Sequence, residues 1–129
     1  MLLLDVTIEG KPISKNARTR YNKKTRTIHT SEVASCFMEM VAAVVRAERS
    51  QALPAATPVR MGVSVSMTKG LHAQDLDGML ACLVDGVFRG LSDAVRPPDQ
   101  WLDELSISKA LGARDEIGVK VWTLEQGKP

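Results

Sequence analysis

The chain has 129 residues, of which 44% are hydrophobic, 25% charged and 4% aromatic, and its net charge is +2. That is the composition of a single globular domain, residues 1–129, with a core of aliphatic side chains rather than aromatic ones. It excludes a disordered polyelectrolyte and a disulfide-stapled miniature fold. No segment approaches the length of a membrane span, and Cys36 and Cys82 show neither a CxxC pair nor zinc-ligand spacing.

Met1 to Asp5 lacks a basic leader and its apolar run breaks at Asp5, unlike a signal peptide, so a cytoplasmic location is expected. Leu2, Leu4, Val6 and Ile8 alternate with more polar neighbours and predict a strand with one buried face, ended by Gly10 and Pro12. A basic stretch follows, carrying Lys11, Lys15, Arg18, Arg20, Lys23, Lys24 and Arg26 with no acid among them. A short hairpin turning at Asn22-Lys23 and a mobile loop explain it equally well.

A helix is predicted from Ser31 to about Ser50, capped by Thr30 or Ser31. Val33, Phe37, Met40, Val41, Val44 and Val45 form its apolar stripe. Beyond Pro54–Pro58, Val59 to Thr68 alternates over its whole length and reads as a strand. A second helix is predicted from Gly78 to Leu91, where Leu80, Leu83, Val84, Val87, Phe88 and Leu91 recur at helical spacing. Gly86 and Gly90 weaken that helix by roughly 1 kcal/mol each relative to alanine, so packing must hold it, and they allow another element to come close. Leu105, Ile107 and Lys109 mark a third strand, and Ile117, Val119 and Val121 a fourth. The short Gly112–Asp115 link predicts that these two pair as an antiparallel hairpin. The expected fold is α+β, a small mixed sheet with two helices packed on it.

Two acidic clusters carry the chemistry. Asp75 and Asp77 stand at the hand-over from strand to helix, and Asp103 and Glu104 at the start of the next strand. Taken singly, Asp77 is explained as a helix N-cap, and the others as solvated carboxylates. Taken together they offer hard oxygen ligands for Mg²⁺. Beside a cationic surface, such a set suits phosphodiester hydrolysis, with the basic stretch and Lys69 holding the backbone. His72 precedes Asp75 by three residues and is read as a loop residue or a phosphate contact.

The blocks Gln74-Asp75-Leu76-Asp77-Gly78, Leu83-Val84-Asp85-Gly86-Val87 and Trp101-Leu102-Asp103-Glu104-Leu105 resemble the core of the RusA-type Holliday-junction resolvases. Gly10-Lys11-Pro12-Ile13-Ser14-Lys15-Asn16 resembles the lead after that family's first strand. The resemblance implies a homodimer, in a bacterium or a phage-infected host, that binds four-way DNA junctions and cuts them with Mg²⁺, or Mn²⁺ in its place. It implies metal-binding, catalytic carboxylates at Asp75, Asp77 and Glu104, with Asp103 beside them. The sequence departs from the family pattern in carrying Gly78 for an asparagine, Ala81 for a lysine, and glutamate at position 104. The missing lysine motivates an alternative, a branched or single-stranded DNA-binding dimer without strong catalysis.

Overall fold

The computed structural model describes residues 1–12, 19–22, 27–30, 32–72, 78, 80–93 and 99–124. The strands are β1 (Leu2–Glu9), β2 (Thr19–Asn22), β3 (Thr27–Thr30), β4 (Val59–Met67), β5 (Leu102–Leu111) and β6 (Glu116–Thr123). The helices are α1 (Glu32–Glu48) and α2 (Leu80–Leu91), and a 3₁₀ turn, Asp99–Trp101, leads into β5. β2 and β3 pair as a separate antiparallel hairpin. Asn22 pairs with Thr27, so Asn22 belongs to the ladder and is not the centre of a tight turn at Asn22-Lys23.

The main sheet has the order β1-β6-β4-β5. β6 is antiparallel to both β1 and β4, and β4 and β5 are parallel. The expected β5–β6 hairpin is therefore corrected: the two strands flank β4 instead of pairing with each other. The link 112–115 has to step across one strand, about 10 Å between the two flanking strands. It does so over the end of β4. The Gly112 N–H donates to the Met67 carbonyl (2.9 Å), and the Asp115 carboxylate accepts from the Thr68 N–H (2.9 Å). A side chain at Gly112 would collide with the Ser66 hydroxyl, so the crossing hugs the strand it passes.

Period-two patterning places Val59, Met61, Val63, Val65 and Met67 of β4 and Ile117, Val119 and Val121 of β6 in the core. They share that core with both helices. The buried face of α1 is Ala34, Phe37, Met38, Val41, Ala42 and Val45. Val33 and Met40, expected inside, are exposed, and Val44 is only half-buried. The buried stripe is rotated from the expected one and takes in Ala34, Met38 and Ala42.

That helix contact is close. A methyl group on Gly86 would lie 2.8 Å from Val41 Cβ, and one on Gly90 would lie 2.6 Å from both the Ala42 carbonyl oxygen and Val45 Cβ. Ascending positions on α1 meet ascending positions on α2, so the helices run parallel. Arginines of α1 also satisfy carbonyls that the end of α2 leaves open. Arg46 donates to Arg89 O (2.8 Å), and Arg49 to Gly90 O (3.1 Å) and Leu91 O (2.9 Å). Arg49 also pairs with Asp93 at 3.1 Å. No helix among the described residues is long and apolar enough to cross a membrane.

The seam predicts an inverted helix-propensity effect. Gly90→Ala should gain up to about 1 kcal/mol of helix propensity. It should nevertheless destabilise the protein by about 1–3 kcal/mol, because the added methyl meets backbone that cannot rotate away. Urea unfolding of the variant checks this. An unfolding midpoint at or above that of the parent chain would show that the helices do not meet there.

Candidate nucleic-acid interface and acidic site

Strand polarity gives the sheet two unlike edges. β1, β4 and β5 all point the same way, and their carboxyl ends lie together at Glu9, Met67 and Leu111. Both helices run back from this edge. The end of α2 lies at the opposite edge, where Leu53 N–H donates to Leu91 O and Ser50 N–H to Leu3 O. In open α/β sheets, ligands bind beyond the carboxyl ends of parallel strands, where helices begin.

The basic stretch leaves β1 at this edge, and the segment carrying Gln74 to Asp77 leaves β4 at the same edge. Lys15, Arg18, Lys23, Lys24, Arg26, Asp75 and Asp77 lie outside the described residues. Arg20 lies on the β2 backbone. Lys11 and Lys69 are exposed at the edge itself. Both act on one carboxylate, that of Asp115. The Thr68 backbone N–H is the largest influence holding the Asp115 pKa below its ordinary value. Desolvation opposes it, while Lys11, the Thr68 hydroxyl and Lys69 reinforce it. Asp115 is an acidic residue of this edge that sequence reasoning passed over, because in the sequence it sits in a short turn far from the other acids.

Glu104 and Asp103 stand elsewhere. Glu104 pairs with Arg60 near the start of β4, and Asp103 is the extra residue where the register shifts between Val59 and Arg60. From Glu104 to Leu111 the strand rises about 23 Å. Paired residues share a face, so Glu104 points with Arg60 to the side of the sheet away from the helices. Asp77 is bonded to Gly78, two residues before α2 and thus at the far end of that helix from Leu91. Residues 73–77 alone join His72 to Gly78. Glu104 thus lies at the end of the sheet opposite the carboxyl ends of β4 and β5, and the aspartates it was expected to join lie outside the described residues.

Among the described residues, no three His, Cys, Asp or Glu side chains come together as a metal-ligand group. The expected Asp75, Asp77 and Glu104 set therefore rests on two aspartates that lie outside the described residues. Ala81, in the first turn of α2, is half-buried and brings no charge to the edge. Lys69 is the described cation nearest in sequence to the acidic stretch. His72 is exposed. No protein-family model matches the chain, and no curated protein matches it.

The clasp at Asp115 titrates in a stated direction. Its carboxyl is held below the ordinary value of 3.8, so its contribution to stability is present above that pH and is lost as pH falls through the depressed value. The stability difference between the parent chain and Asp115→Ala should be constant from neutral pH to about pH 5 and shrink below about pH 3.8. Urea titrations across that range test it. A difference that stays constant into strong acid would mean that the carboxylate form is not what binds Thr68.

Proposed function

We propose that the chain is a Mg²⁺-dependent, structure-selective DNA endonuclease that acts on four-way junctions as a homodimer. One observation supports this above others. The segment with Asp75 and Asp77 and the segment with the basic stretch are attached to the same strand-carboxyl edge, where Lys11 and Lys69 already flank a carboxylate.

In this reading Asp75 and Asp77 hold the metal. When bound there, Mg²⁺ supplies a Lewis acid for the phosphoryl oxygen and lowers the pKa of a water. The protein's own part is positional. Two carboxylates held close repel each other, and a divalent cation relieves that repulsion, so the pair favours the ion over a lone proton. Lys11, Lys15, Arg18, Arg20, Lys23, Lys24, Arg26 and Lys69 contact phosphates, which fixes the strand's position without reading its sequence. Ala81 leaves the first turn of α2 uncharged, and Lys69 is the cation proposed to face the scissile phosphate in its place.

The place of Glu104 favours keeping a second reading. If the third carboxylate stays at the far end of the sheet, the same edge binds branched or single-stranded DNA without cutting it. Labelled junctions incubated with Mg²⁺ or Mn²⁺ separate the two readings. Asp75→Asn and Asp77→Asn should each lower cleavage by at least about a hundredfold while leaving junction binding within a few-fold. Glu104→Gln should cleave close to normally if the two aspartates suffice, as its position opposite Arg60 favours, and should match the aspartate variants if all three acids share the ion. Normal cleavage by both aspartate variants would remove the assigned site. No cleavage by the parent chain with either metal would leave the binding protein.

A further inference from the structure

The side of the sheet that carries no helix holds a second candidate site. A cavity of about 370 Å³ opens on it, walled by Trp122 and floored by β4, β5 and β6. That volume falls in the range of small-ligand pockets, roughly 300–1,000 Å³. Two glycines make the room, Gly62 on β4 and Gly118 on β6, both interior strand positions. A methyl group on Gly62 would touch Ser106 Oγ and Trp122 Cζ3 at 3.6 Å, and one on Gly118 would touch Ser64 at 3.7 Å. Those are ordinary contacts. Gly86 and Gly90 are glycine because α1 leaves no space, but nothing among the described residues demands glycine at 62 or 118. Glycine weakens a strand, and inside one it marks a place where a ligand or another backbone approaches closely.

The lining is small and hydroxylated. Ser64, Ser106, Ser108 and Thr7 face the cavity, and beyond their backbone ladder bonds none of their hydroxyls bonds to another described residue. Asp5 and Lys120 stand at its side with opposite charges, so the site does not select a strongly charged ligand. The Arg60 guanidinium lies 4.4 Å from the centre of the Trp122 ring, and the two make a stacked aromatic and cationic wall.

We propose that this face takes an unpaired nucleobase, stacked against the Trp122–Arg60 wall and hydrogen-bonded by the serine floor. The floor admits a flat ring, the wall stacks one, and hydroxyls both donate and accept, which suits the mixed edge of a base. Open four-stranded sheets that stack bases on aromatic side chains bind single strands by this physics. The choice of a base over other flat polar ligands rests on the nucleic-acid reading above. The site itself uses none of the residues proposed to hold metal.

The test reads Trp122 fluorescence in a Trp101→Phe background, where it is the only indole, with all divalent metal chelated. A short single-stranded oligodeoxynucleotide should quench it, and a strand of abasic sites of equal length should not. Gly118→Val fills the floor with a good strand former. It should weaken binding by about tenfold or more, as should Trp122→Ala read by anisotropy of a labelled strand. Circular dichroism checks that both variants fold. Equal binding of abasic and base-bearing strands, or unchanged affinity in a folded Gly118→Val, would overturn the proposal. So would Trp122 emission that changes with protein concentration in the absence of DNA, which would give this face to a second copy of the chain. Junction cleavage without quenching by single strands sinks the pocket alone, and quenching without junction cleavage supports the pocket while the nuclease reading fails.

Discussion

The architecture depends on where β6 inserts. It is the last strand in the chain, yet it lies between β1 and β4 and supplies hydrogen bonds to both. Without it, β1 and β4 have no common partner, and the sheet divides into a lone strand and a parallel pair. Its inward side chains, Ile117, Val119 and Val121, are completely buried, so the same segment closes both the ladder and the core. Pairing of high sequence separation must form before either helix has a whole sheet to cover, which makes this a topology of slow, cooperative assembly.

The insertion also explains the two edges. Because β6 is antiparallel to its neighbours, β1 and β4 are parallel to each other, and β5 joins them in the same direction. Every connection that leaves a carboxyl end of these strands therefore starts on one side. The segments with the basic stretch and with Asp75 and Asp77 begin there, as does the Gly112–Asp115 crossing. Glu104 belongs to the other side because it begins a strand rather than following one. The chemical asymmetry of the molecule comes from strand direction more than from where its charges stand in the sequence.

Much of this was readable from residue order. Alternation in Val59–Thr68 located β4 to within one residue, and the two helices appeared where 3.6-residue spacing placed them. Gly86 and Gly90 announced a close approach, and α1 supplies it. Strand pairing was not readable from the length of a link. Four residues between two strands suggest a hairpin, but the same four can step over one neighbouring strand when a glycine and an aspartate fasten them to its end. Composition held a better clue. β5 carries Asp103, Glu104, Ser106, Ser108 and Lys109, the charged and small residues of an edge, whereas β6 alternates three fully buried aliphatics. The more apolar strand belongs in the middle. The rotated stripe of α1 was missed because alanine scores weakly as an apolar residue, yet Ala34 and Ala42 are buried.

The acidic residues show the limit of adding motifs together. Asp75, Asp77 and Glu104 form a persuasive set as a list, because each cluster sits beside a strand end. Strand ends come in two kinds, however, and a parallel β4–β5 pair joined through α2 puts the residues after the first strand and those at the start of the second at opposite ends. The start of β5 and the start of α2, the described points from which these acids depart, lie at opposite ends of the sheet. A cation shared by all three acids thus asks the segment between β4 and α2 to bring the aspartates to the other face, or asks a second chain to bring its own Glu104. A cation held by the two aspartates asks for neither, and the edge where Lys11, Lys69 and Asp115 already meet is where such a pair would find its counter-charges.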